Sequence, residues 1–100
     1  MLAAFAVMPL GTGESTGALV AEAVRIVRSS GLPNETNAMF TNIEGDWDAV
    51  MAVIRACVEK VAEEAPRVTV QVKLDYRRGT AAGALTRDVE SIERRLREAR

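Results

Sequence analysis

The run Leu2-Ala3-Ala4-Phe5-Ala6-Val7-Met8 is apolar or small at every position, with no polar residue to turn toward water. A strand of that kind needs cover on both faces, which places it at the centre of a sheet. Pro9-Leu10-Gly11-Thr12-Gly13 ends the run and opens a loop. The run is far shorter than the roughly 20 residues that cross a bilayer, and it lacks the basic flank of a signal peptide. We therefore expect a cytoplasmic chain with no membrane partner.

The remaining segments supply cover for that strand. Ser15 or Thr16 caps a helix with Leu19, Val20, Ala23, Val24 and Val27 on one face and Glu22, Arg25 and Arg28 on the other, stopping at Ser30-Gly31. Residues 33–45 are too short for a helix and read as a hairpin through Thr36, Phe40, Thr41 and Ile43, turning near Asn37-Ala38-Met39. Asp46 caps a second helix with an apolar stripe of Trp47, Val50, Met51, Ile54, Cys57, Val58 and Val61, and Pro66 blocks its continuation. Val68, Val70, Val72 and Leu74 then alternate with Thr69, Gln71, Lys73 and Asp75, the period of a half-buried strand. Residues 77–83 read as a mobile loop. A last helix, about residues 86–99, carries a narrow seam of Leu85, Val89, Ile92 and Leu96, with Glu90–Arg94 and Glu93–Arg97 spaced for i,i+4 pairing.

The order β-α-β-β-α-β followed by a helix predicts a single ferredoxin-like α+β domain over residues 1–100: an antiparallel sheet with two helices on one face, plus the C-terminal helix. Two helices cover one sheet face and leave the other bare. A naked apolar face predicts a sheet-to-sheet homo-oligomer. The seam of the last helix suits another subunit, a sheet edge or simple intramolecular packing equally.

Composition removes whole classes of chemistry. No histidine is present, so Ser-His-Asp, Cys-His and histidine-ligated zinc sites are impossible. The single cysteine, Cys57, allows no internal disulfide or cysteine metal cluster, and its place on an apolar stripe reads as an inert core thiol. Thirteen basic against fourteen acidic residues give a net charge of −1, with no field to recruit nucleic acid. We expect no metal, no resident cofactor and no catalysis.

Three places hold groups that could bind something. Gly11-Thr12-Gly13 precedes a helix and could offer amides to an anion, but without a P-loop lysine or a dinucleotide fingerprint it reads first as a plain turn. Residues 37–45 gather amide, hydroxyl and carboxylate groups beside large apolar ones, which suits a heteroaromatic ligand. There Asn37 could meet an aminopyrimidine edge, Met39 and Phe40 could sandwich a ring, and Glu44 could answer a positive charge. Equally, Asn37 fills a turn and Glu44-Gly45-Asp46 starts a helix. Asp75, beside Arg77 and Arg78, is a carboxylate in a set of solvated charges.

Taken together, Met8-Pro9-Leu10-Gly11-Thr12-Gly13, Asn37-Ala38-Met39-Phe40-Thr41-Asn42-Ile43-Glu44-Gly45-Asp46 and Lys73-Leu74-Asp75-Tyr76-Arg77 resemble the thiamine-binding protein family of small ferredoxin-like proteins. The resemblance implies non-catalytic binding of thiamine or its hydroxymethylpyrimidine moiety, and assembly into dimers or tetramers through sheets and the terminal helix. It assigns ligand contact to Thr12, Asn37, Met39, Thr41, Glu44 and Asp75. Residues 80–100 match the family pattern more loosely. Two other readings stand beside it: a regulatory or scaffolding module that binds a protein partner through the sheet face and last helix, and an enzyme using Asp75 or Glu44 as general base.

Overall fold

The computed structural model describes residues 1–13, 16–79 and 83–99. Its elements are β1 (Leu2–Leu10), α1 (Thr16–Ser29), β2 (Asn34–Thr36), β3 (Thr41–Glu44), α2 (Trp47–Ala62), β4 (Arg67–Asp75) and α3 (Ala84–Glu98). The strands form one antiparallel sheet in the order β2-β3-β1-β4, which is the ferredoxin-like topology expected from the order of elements. No helix among the described residues is long and apolar enough to cross a membrane.

β1 is central, as its two-sided apolar character requires. Ala3, Phe5 and Val7 are buried toward the helix layer. They pack with Ile43 of β3, with Leu19, Ala23 and Val27 of α1, and with Val50, Ile54, Cys57 and Val61 of α2. Leu2, Ala4 and Ala6 face the other side and are half-buried, while Met8 and Leu10 are exposed. The strand runs through Pro9 rather than stopping before it: Pro9 pairs with Val68 and Leu10 with Arg67 of β4. Proline is tolerated in a strand where its missing N–H would point away from the paired neighbour.

The Asp46 cap forms as expected, its carboxylate accepting the Ala49 amide at 2.8 Å. Trp47, assigned to the α2 stripe, is instead half exposed at the first helical position. α3 begins at Ala84, two residues earlier than expected, and the Glu90–Arg94 and Glu93–Arg97 ion pairs do not form. Such exposed pairs gain only a few tenths of a kcal/mol, too little to hold two long side chains in place. Ser15, a candidate cap of α1, and Thr80 to Ala82 of the expected mobile loop lie outside the described residues.

Gly11 carries φ +83° at the end of β1, and a Cβ there would stand 2.7 Å from Pro66 Cγ. Backbone conformation and close approach both demand glycine. Gly11→Ala is expected to cost about 1–3 kcal/mol, measured as a lower denaturant midpoint.

Cys57 is fully buried and its thiol donates to the Ala23 carbonyl at 3.4 Å. Burial pushes the thiol from 9.0 up to about 11. The folded value lies above the unfolded one, so the neutral thiol's contribution is intact below about pH 9 and is lost as pH rises toward 11. Over that window the denaturant midpoint of the wild type should fall more steeply than that of Cys57→Ala. Equal slopes would show that the thiol titrates freely.

Candidate functional site

A cleft of about 210 Å³ opens between the far half of β1, the face of α1 and the β2–β3 turn. It exists because β3 is short. β3 pairs with Leu2 to Phe5 only, leaving the β1 edge beyond Phe5 without a neighbouring strand. Val20 and Val24 of α1 line it together with Met39 and Phe40 of the turn, and Thr36 and Thr41 place hydroxyls 3.4 Å apart in it. Among the described residues no ionisable side chain lines it.

The turn is built by Asn37. Its Oδ1 accepts the Met39 and Phe40 amides, each at 2.9 Å, while its own amide donates to the Phe40 carbonyl at 2.9 Å. The side-chain oxygen is thus spent on the turn, and the NH2 group is what Asn37 can offer to a ligand.

Of the residues singled out in the sequence, the structure brings Asn37, Met39 and Thr41 together in this cleft. Glu44 lies elsewhere. Thr41 pairs with Phe5, on the helix side of the sheet, and Glu44 with Leu2, on the opposite side, because side chains three apart on a strand project from opposite faces. Glu44 is 6% exposed, and its carboxylate accepts the Gly83 amide at 2.9 Å and the Leu85 amide at 2.7 Å. Gly83, at φ +110°, is the N-cap of α3 and has no side chain to cap it. Glu44 performs that task from a distant strand, answering the positive end of the helix dipole.

Asp75 also pairs with Leu2, from the other side, so Glu44 and Asp75 flank that residue on the open face. Arg77 sits 3.2 Å from Asp75 and 3.3 Å from Asp88 of α3. Glu44 thereby caps α3 directly, and Asp75 reaches it only through the exposed Arg77. Thr12 is half-buried in the loop after β1, at the end opposite Glu44, and does not line the cleft.

Sequence reasoning missed the β1 edge and the α1 wall. Pro9 was the available signal, since a proline within a strand marks an unpaired edge. A larger groove of about 450 Å³ over the outside of α1 and α2, lined by Ile26, Ala52 and Val53, contains none of the residues singled out. Among the described residues no three potential metal ligands cluster.

A ferredoxin-like sheet with one apolar, uncharged cleft and a C-terminal helix describes a class of small α+β proteins. Within it, the chain belongs to the thiamine-binding protein family, whose model matches residues 3–93. A UPF0045 protein of Mycobacterium bovis is 55% identical over 97 residues, covering 96% of this chain and 94% of its own. The crystal structure of a Methanocaldococcus jannaschii protein is similar at TM-score 0.81 and 29% identity, covering 92% of this chain and 94% of its own. A Thermotoga maritima protein assigned provisionally to thiamine biosynthesis or salvage shares the fold at TM-score 0.79 and 19% identity, covering 91% of this chain and 96% of its own.

Glu44→Ala removes two charge-assisted bonds to a helix N-terminus and is expected to cost about 2 kcal/mol. Hydrogen exchange should accelerate in α3 while the amides of α2 stay protected. Unchanged exchange in α3 would show that the helix does not depend on this cap.

Proposed function

We propose that the protein binds thiamine or its hydroxymethylpyrimidine moiety without catalysis, as a cytoplasmic homo-oligomer. The observation that carries this reading is the cleft beside the β1 edge, which joins flat apolar walls to hydroxyl and amide groups at the size of a single ring. Its volume is below the roughly 300–1,000 Å³ of pockets that take drug-sized ligands. The uncharged lining supports entry of the pyrimidine end, with the thiazolium left outside. Membership of the thiamine-binding family supports the same chemistry.

Self-association is supported by α3. At about 100° per residue, Leu85, Val89, Ile92 and Leu96 share one narrow arc, while Arg87 and Ser91 lie almost opposite. Leu85, Arg87 and Ser91 are half-buried, whereas Val89, Ile92 and Leu96 are each more than half exposed. Beyond Leu85 the helix therefore turns a polar side inward and its apolar stripe outward. The radius of gyration, 15.5 Å, exceeds the roughly 13 Å of a compact 100-residue domain, as a projecting helix requires. The same stripe favours the second reading, a module that binds a protein partner.

Calorimetry with thiamine and hydroxymethylpyrimidine should give saturable heat. At 100 times the dissociation constant either compound should raise stability by about 2.7 kcal/mol. Silence from both at millimolar concentration would remove the ligand from this reading.

Sedimentation should show a dimer or tetramer at micromolar concentration, and Ile92→Glu should shift it toward monomer. A wild type that stays monomeric would leave the stripe to a different protein partner.

A further inference from the structure

The cleft has a polar group that no side chain supplies. The Met1 amine donates to the Gly45 carbonyl at 2.8 Å and the Gly45 amide to the Met1 carbonyl at 3.0 Å. This is a pair that exchanges both backbone bonds, and along an antiparallel strand such pairs alternate. The odd-numbered residues of β1 therefore direct N–H and C=O toward β3, and the even-numbered ones toward β4. Pro9 provides an independent check. It lies within an unbroken ladder to β4 although it has no N–H, which is possible only if odd-numbered residues donate the other way.

Ala3 and Phe5 meet Ile43 and Thr41 across that edge. β3 then ends, and the Asn37–Phe40 turn folds the chain away. Val7 is the next residue in the series. It is 9% exposed, it lines the cleft, and among the described residues nothing pairs with its amide or its carbonyl.

We infer that the Val7 backbone reads the ligand's edge: its N–H donates to a ring nitrogen and its C=O accepts from an adjacent amino group. A strand residue in this position normally exchanges two bonds with one residue opposite. A ring that carries an acceptor nitrogen beside an amino group presents the same complementary pair. The ligand class is accordingly a small uncharged heteroaromatic with that edge, its faces against Val24 and Phe40 and its substituents toward Thr36 and Thr41. A β-strand from a second copy fits the edge poorly, because Pro9 follows two residues on and offers no donor.

This inference rests on the small-molecule reading above and assigns it a specificity determinant. The test is amide NMR and hydrogen exchange on the isotope-labelled full chain with hydroxymethylpyrimidine. In the free protein the Val7 amide should exchange quickly. Ligand should slow it by about tenfold and shift its resonance, while Ala6 and Met8, already bonded to β4, change little. Analogues that lack the amino group, or that carry C–H in place of the neighbouring ring nitrogen, should each bind about tenfold more weakly.

Binding that leaves the Val7 amide in fast exchange, or analogues of equal affinity, would overturn the inference while the function stands. A Val7 amide already protected in the free protein would also overturn it, since another copy of the chain would then hold the edge. Failure of every compound to bind would overturn both.

Discussion

β1 has strand neighbours on both edges and apolar side chains on both faces, and each other element is placed by what it does for that strand. α1 and α2 close over Ala3, Phe5 and Val7. β4 pairs with the whole of β1, whereas β3 pairs with less than half of it. That inequality creates the cleft. Had β3 and β2 been as long as β4, the edge beyond Phe5 would be filled by backbone and no space would remain beside α1. The site is a consequence of a strand that stops early.

The fold was legible because its signals are periodic and local. The two-residue alternation of Val68 to Leu74, the three-to-four spacing of Val50, Ile54, Cys57 and Val61, and the Asp46 cap each act within a few residues, and each element appears where it was expected, although Val70 and Val72 of β4 are exposed rather than half-buried. The site was legible only in part. Residues 37–45 form a compact polar and aromatic cluster in the sequence, but a strand deals its side chains alternately to two faces. Thr41 goes to the cleft and Glu44 to the other side of the sheet. Nothing in the order of residues announces that Glu44 will meet Gly83 and Leu85, because that contact depends on where a later loop returns the chain.

α3 inverts the usual logic of a surface helix. Amphipathic helices ordinarily turn their apolar stripe to the core, yet here, past Leu85, the half-buried residues are Arg87 and Ser91. The Glu44 carboxylate caps the first turn of α3 on two amides, with the exposed Arg77–Asp75 and Arg77–Asp88 pairs beside it. Glu44, one of the carboxylates that look most like ligand groups in the sequence, is thus committed to capping a helix. Among the described residues the polar side-chain groups that line the cleft are the Thr36 and Thr41 hydroxyls and the Asn37 amide.

Two residues of β3, Asn42 and Ile43, separate the cleft wall at Thr41 from the helix anchor at Glu44, and the Met1–Gly45 exchange fixes how they sit against β1. A slip of one residue in that pairing would move Thr41 to the open face and drive Glu44 into the apolar layer beneath the helices. Cavity and anchor are therefore two readouts of a single register. A variant that shifts this strand forfeits both together, and the two features can diverge only by side-chain substitution within an unmoved backbone.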